Sequence, residues 1–392
     1  MTRHAHAFVL AWHHLVYHRG RTIILIVAIA LAAALPLLVR SLVAAGSDTM
    51  MARARSTPLA IGSRGSELDL VVASLYFARP APRSYGAGEL TRLADSTSGT
   101  VVPLHLGFSA QRQPIVGTSL DYFELRALRL KDGRQFAVLG ECVLGFRAAQ
   151  RLTLPIISDA LDPYDLAGTI PLKLNVTGTL APSGTADDDA IFVDLKTAWT
   201  IAGIGHGHQD AGAIRDPNDL IGTVGDHVVA SERLRHYEEI TPELAATFHF
   251  HGDPATFPIH AMLVWPRDAR DAALLQGRFQ RSDEPLQIVR PTDAIERLLR
   301  EILRLKRFLD AIFIAVGAVT MAVVALVIAL SVRLRRDELT TMVRLGAARG
   351  TVFHLIAAEL VLIAVVAGAV VAISVAASAS LGGVVEQLIV SR

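Results

Sequence analysis

The residues of this chain best equipped for chemistry are histidines. His206, His208 and Asp210, together with His249 and His251, contain side chains that could line a zinc site, because alternate positions on a strand share a face. Their spacing is that of no known zinc site, so no metal is expected there. A second group, His4, His6, His13, His14 and His18, crowds the first turns of the chain. His14 and His18 are one helical turn apart, but no acidic or thiol ligand accompanies them, and they read as solvated histidines at a membrane interface. The run Gly203-Ile204-Gly205-His206-Gly207-His208 is glycine-rich like a phosphate loop but lacks the lysine, and it reads as a loop at a helix end. The chain has no G-x-x-x-x-G-K-[ST] loop and no G-x-S-x-G elbow. Cys142 is its single cysteine, which rules out an internal disulfide. These residues supply no nucleophile with its base, so neither an enzyme nor a cofactor is expected.

The elements that carry these residues are set by apolar runs. Of 392 residues, 52% are hydrophobic, the mean hydropathy is +0.41 and the formal net charge is +1. That balance points to a membrane protein, and the absence of a basic run with interleaved aromatics argues against nucleic acid as a partner. Three uncharged runs, Thr22 to Val39, Ala311 to Val332 and Leu360 to Val385, read as membrane spans. Between the last two lies Ser331 to Glu359, where Arg333, Arg335, Arg336, Arg344 and Arg349 outnumber Asp337 and Glu338. The positive-inside bias places this connection, and with it the N-terminus, in the cytoplasm. The amphipathic stretch before the first run is long for a signal peptide, so despite a small-residue site at Ala44-Ala45-Gly46 the run is expected to stay as an anchor. Asp310, His354 and Glu359 sit at the ends of spans rather than at mid-depth, which argues against an ion-coupled carrier.

Within the connection, Leu339, Met342, Val343 and Leu345 fall on one side of a helix, with Arg336, Glu338 and Arg344 nearer the polar side, and Gly346 ends it. The order Arg-Arg-Asp-Glu-Leu, then Met-Val-Arg-Leu-Gly-Ala, then a span entered past Glu359, resembles the cytoplasmic loop of the MacB/FtsX family of ABC-transporter permeases. In that family the loop carries a coupling helix that docks on a separate ATPase. The resemblance thus implies an ATPase-docking role for Arg336, Glu338, Leu339, Met342, Arg344, Leu345 and Gly346. The competing reading is a basic loop that touches only anionic lipid head groups.

From Gly46 to about Val289 the texture changes to short runs broken by Gly, Pro, Asp and Ser. Leu68 to Ala73, Val101 to Leu106, Phe136 to Leu139, Leu172 to Leu180 and Ile191 to Leu195 read as strands. Ala87 to Ser96, Glu141 to Arg151, Leu195 to Ile204 and Asp268 to Arg281 read as helices. The stretch Gly117 to Leu195, with Val176-Thr177-Gly178-Thr179-Leu180 and with Asp188 and Asp189 before the strand Ile191 to Val193, resembles the MacB-type periplasmic core domain of that family. Beyond it, Asp293 and Glu296 have capping-box spacing, and Ile295, Leu298, Ile302, Leu305 and Leu309 follow a heptad seam. Leu42, Met50 and Met51 on the helix leaving the first span are its candidate partners in a stalk, with packing on the domain as the alternative.

The expected fold class is a membrane protein with an α-helical transmembrane region of three spans and a large α+β extracytoplasmic domain between spans one and two. The expected boundaries are a cytoplasmic amphipathic helix at 1–21, the first span and stalk start at 22–45, the core domain at 46–290, a stalk helix at 291–310, the second span at 311–332, the coupling loop at 333–352, the third span at 353–385 and an outer tail at 386–392. By the resemblance, the chain is a permease subunit whose partners are an ABC ATPase, a second permease chain in a homodimer or heterodimer, membrane lipid and, as a further option, a periplasmic adaptor or envelope protein. The location would be the inner membrane. Members of the family usually have three spans after the outer domain and this chain has two, which implies a truncated permease or one completed by another polypeptide. The alternative function is a non-transporting scaffold or sensor that binds an envelope partner.

Overall fold

A computed structural model of the chain describes residues 3–78, 80–159, 171–206, 220–224, 227–230, 237–279, 285–345 and 349–379. The chain divides into two compact units. One holds Met1–Asp48 with Leu299–Leu388, and the other is built on Thr49–Leu298.

The first unit is helical. It contains α1 (Arg3–Tyr17), most of α2 (Arg19–Arg55), most of α10 (Pro291–Leu334), the short α11 (Arg336–Arg344) and α12 (Arg349–Ala379). α2, α10 and α12 are each long and apolar enough to cross a membrane. Leu15, Leu25, Val324 and Ile363 bring α1, α2, α10 and α12 into one apolar cluster, and Ala11 on α1 is buried against Leu355 and Ala358 on α12. Away from these contacts the same helices leave large apolar side chains open, among them Ile24 at 70%, Val319 at 64% and Ile373 at 70% exposure. Exposed apolar area on this scale calls for an apolar surrounding.

The second unit is a mixed α/β domain. In chain order it runs β1 (Leu59–Ser63), α3 (Glu67–Tyr76), β2 (Tyr85–Gly86), α4 (Gly88–Ala94), β3 (Thr100–Ala110), β4 (Gln113–Thr118), α5 (Asp121–Leu125), β5 (Leu130–Gly133), β6 (Glu141–Leu144), α6 (Phe146–Arg151), β7 (Ile156–Ile157), β8 (Leu172–Leu180), β9 (Ile191–Asp194) and α7 (Leu195–Ile201). It continues through β10 (Gly205–His206), β11 (Leu220–Val224), β12 (His227–Ala230), β13 (Glu238–Glu239), α8 (Pro242–Thr247), β14 (His249–Phe250), β15 (Pro258–Ile259), β16 (Ala261–Trp265), α9 (Ala269–Phe279) and β17 (Leu286–Val289). The main sheet has the order β13-β8-β6-β9-β4-β3-β16-β1-β17, with β5 and β7 also paired to β8. Both parallel pairs, such as β4 with β9, and antiparallel ones, such as β3 with β16, occur in it. Two apolar cores fill it, one around Ile115, Ile191 and Val193 and the other around Leu59, Met262 and Leu286.

The strand β8 contains the Val-x-Gly-x-Leu run. Its register against β6 shifts between Cys142 and Val143, so that Thr177 is the extra residue of a bulge. At Gly178 β5 crosses so closely that a Cβ would collide with the Arg134 carbonyl oxygen. Glycine is required there by space.

Several local expectations are corrected. Leu68 to Ala73 lies in α3, not in a strand. Ser66 caps the helix by accepting from the Asp69 amide at 3.1 Å, and Glu67 and Asp69 fill its first turn, so end effects outweigh the β-branched pair Val71-Val72. Phe136 to Leu139 forms no strand, because the amides of Ala137 and Val138 donate to the Glu141 carboxylate at 2.8 and 3.1 Å rather than to a ladder. Glu141 to Arg151 is not one helix. Glu141–Leu144 is a strand between β8 and β9, and the helix starts only after Gly145. Asp293 does not cap α10, which starts at Pro291, a residue that fits a first turn because its missing N–H is not needed there. α10 then runs unbroken to Leu334, and α2 continues past residue 45 to Arg55.

Candidate functional site

Polar residues after Val332 turn the chain from α10 into α11 through the single residue Arg335. α11 carries Arg336 and Arg344 at its two ends, both exposed, and Leu345 just beyond is 83% exposed. Thr340 and Thr341 close onto the carbonyls of Arg336 and Asp337 at 2.6 and 2.8 Å, which keeps their hydroxyls on the helix itself. Glu338, Leu339 and Met342 are helical by backbone. Their side chains, and Gly346 altogether, lie outside the described residues.

Behind α11 is a polar cluster that sequence reasoning did not assemble. Glu359 on α12 is buried to 8% exposure. Its Oε1 accepts from His14 Nδ1 at 2.9 Å and from Arg335 Nη1 at 3.1 Å. Arg335 also lies 3.5 Å from the same His14 nitrogen, a contact too long to compete with its bond to the carboxylate. Burial, the largest influence, holds the His14 pKa below that of a free imidazole although Glu359 pulls it up. A neutral ring that donates from Nδ1 satisfies this geometry. His14 is thus not solvated, as its sequence context suggested, whereas His13 and His18 are exposed. The side chains of His4 and His6 lie outside the described residues. A cavity of about 30 Å³ beside Arg335 and Glu359 has room for about one water. The signal for this cluster was available: a carboxylate inside an apolar run demands a partner.

In the second unit a buried network also escaped the sequence. Arg53, on the last turn of α2, donates to both oxygens of Asp187 at 2.6 and 2.8 Å, to the Tyr122 hydroxyl at 3.2 Å and to the Leu75 carbonyl. Tyr122 in turn donates to Asp187 at 2.6 Å. Burial alone would raise the Asp187 carboxyl, but the Arg53 guanidinium holds it down at about 2. Arg147 pairs with the two neighbouring carboxylates, Asp188 at 3.1 Å and Asp189 at 2.6 Å, so three successive aspartates each have a cation partner.

Of the candidate zinc residues, His206, His249 and His251 converge on one place, while His208 and Asp210 lie outside the described residues.

No protein-family profile matches the chain, and no curated protein does. Among solved structures, it is similar to the extracellular domain of the noncanonic ABC-type transporter YknZ from Gram-positive bacteria, at 13% identity and a TM-score of 0.30 over 59% of this chain and 98% of that one. It is also similar to the periplasmic region of MacB from Actinobacillus actinomycetemcomitans, at 12% identity and a TM-score of 0.32 over 63% of this chain and 95% of that one.

Proposed function

We propose that this chain is the transmembrane permease subunit of an ABC transporter of the MacB/FtsX type, with α2, α10 and α12 as membrane spans and the mixed sheet domain outside. The observation that carries the reading is α11, a short helix with arginines at both ends, held between two long apolar helices. Arg335, the one residue between α10 and α11, is tied through Glu359 to α12 and through the same carboxylate to His14 on α1. A force applied to α11 would therefore reach three helices through one carboxylate. In this reading an ATPase in a separate chain docks on α11, a second permease chain completes the transporter, and Arg336, Glu338, Leu339, Met342, Arg344, Leu345 and Gly346 form the contact. Hydrolysis in the partner moves the helices and alters the outer domain, for export or for handling an envelope substrate. The inner membrane is the location and the N-terminus is cytoplasmic.

The test is co-purification in detergent with a candidate ATPase, comparing wild type with a chain carrying Leu339→Asp, Met342→Asp and Leu345→Asp. Capture by the wild type and its loss in the variant are expected. Equal capture of both chains would remove α11 as the docking element. Failure of the wild type to bind any ATPase would favour the scaffold or sensor that binds an envelope partner.

A further inference from the structure

We infer that His206, His249 and His251 form a binding site for one divalent d-block metal ion, zinc foremost, on the sheet domain. The inference stands on this domain's own geometry and does not depend on the permease reading.

The backbone sets the site up. β10 and β14 pair antiparallel with His206 directly opposite His249, and the His251 amide extends the pairing by donating to the Ile204 carbonyl at 3.1 Å. His249 and His251 alternate along their strand and so share a face. The residue between them, Phe250, turns the other way and packs edge-on against Trp199 at 6.4 Å and beside Phe257 at 6.0 Å between ring centroids. A Cβ at Gly205 would sit 2.6 Å from the Phe250 ring, so only glycine lets the two strands close at this point. The aromatic anchor on one face therefore fixes the three imidazoles on the other.

The distances fit metal donors better than they fit hydrogen bonds. The ring centroids are 4.6 to 4.9 Å apart, and one ligand atom from each ring lies within 4.8 Å of the other two. His206 Nε2 and His251 Nε2 are 3.5 Å apart. Two nitrogens bound to one tetrahedral zinc at ~2.0–2.1 Å lie about 3.3–3.4 Å from each other, so this pair already spans close to one edge of the polyhedron. As an N–H···N hydrogen bond, 3.5 Å would be weak.

The third ring carries the outer-shell contact that such sites use. His249 Nδ1 lies 3.3 Å from the Thr247 carbonyl oxygen, which can only accept. A ring that donates from Nδ1 to this carbonyl carries its lone pair on Nε2, the nitrogen that would ligate the ion. Among the described residues the ligand set is three imidazoles, with no carboxylate or thiolate, which selects zinc and its neighbours over calcium or magnesium. Three ligands to a tetrahedral ion leave a fourth position for water, an incoming group or a further side chain. The exposed or half-buried rings give the ion a direct path from solvent. The bound metal would tie together positions 45 residues apart in the chain.

The experiment uses the full chain, without a histidine tag, in detergent, with zinc titrated against a chromophoric chelator. One zinc per chain is expected, with affinity falling at least ~100-fold in His249→Ala/His251→Ala and unchanged in His13→Ala/His18→Ala, which tests the N-terminal histidines as the competing source. His251→Cys keeps the geometry and adds a marker, since cobalt bound there would show a thiolate-to-cobalt charge-transfer band. No zinc bound by the wild type, binding that survives the double substitution or moves with the N-terminal pair, or no charge-transfer band with cobalt would each overturn the site.

Discussion

Replacing Asp187 by alanine should be among the most destabilising single changes in the sheet domain. The Arg53 and Asp187 side chains are 3% and 1% exposed. The substitution would leave a guanidinium buried with the Tyr122 hydroxyl, the Leu75 carbonyl and the faces of Tyr76 and Phe77 as its surroundings, the two rings at 5.9 and 5.8 Å. None of these carries the compensating charge. Breaking a buried pair by removing one partner costs about 3–5 kcal/mol, because a lone charge stays out of water. Tyr122 would also lose the acceptor it now reaches at 2.6 Å. For a domain of this size, roughly 2–4 °C of melting temperature accompanies each kcal/mol, so the apparent midpoint should fall by about 6 to 20 °C. Arg53→Met with Asp187→Leu removes both charges and should recover most of the loss, since apolar replacement of a buried pair is often close to neutral. The assay is thermal unfolding of the full chain in detergent for the wild type, Asp187→Ala, Arg53→Met, Asp187→Leu and the Arg53→Met/Asp187→Leu double variant, the last three closing the cycle. A single-variant loss below about 1 kcal/mol, or strict additivity in the cycle, would refute the claim that the network acts as one unit.

Further outcomes are expected. Gly178→Ala drives a Cβ into the Arg134 carbonyl and should cost about 1–3 kcal/mol, whereas Thr177→Ala, which loses one hydroxyl bond to the Cys142 carbonyl at 3.2 Å, should cost less; equal losses in melting experiments would contradict the close-approach argument. The second unit should lose stability with acid: burial holds His105 down at about 3 and His260 at about 4, both below the ~6.5 of a free imidazole, so the neutral folded forms contribute fully above pH ~6.5 and lose that contribution as pH falls, by about 2 kcal/mol each at pH 5. Melting at pH 7 and pH 5 should show this difference, roughly halved in His105→Phe, and a profile unchanged by that substitution would count against it. If the chain is the permease proposed above, charge reversal at Arg344 or Glu338 should uncouple ATP hydrolysis from transport with expression intact, while Glu359→Gln should keep ATPase capture and lower transport. Unchanged transport with both reversals together would sink the docking assignment, and loss of capture in Glu359→Gln would place Glu359 in docking instead of transmission.

The sequence shows the long apolar helices plainly, because runs of this length have no other stable reading, and it shows α11, because its polar and apolar residues sort at helical spacing over nine residues. It misleads where runs are short. Leu68 to Ala73 and Glu141 to Leu144 are both brief and mostly apolar, and periodicity alone cannot separate a buried helical turn from a central strand. What decided them was local in the first case, the Ser66 cap, and nonlocal in the second, the insertion of β6 between β8 and β9. The Glu141 carboxylate shows the same limit, since it accepts from two amides and so draws the stretch before it away from strand pairing.

Partners of buried charges are the part that composition and spacing leave open. Arg53 and Arg55 stand two residues apart on one helix, in the same Ala-Arg-Ala-Arg context, yet Arg53 is buried and Arg55 exposed. Nothing local separates them. The difference is made by Asp187, 134 residues further along, and by the Tyr122 hydroxyl, which reach one face of the helix only. The same holds for Glu359, whose apolar neighbours announce that it needs a donor but not that His14 and Arg335 supply two. The histidines of β10 and β14 complete the pattern, because their residue types suggested a ligand set while their spacing argued against one. Spacing along the chain measures proximity only inside one element, and His206 meets His249 through a strand pairing that the intervening sequence does not encode at any fixed period.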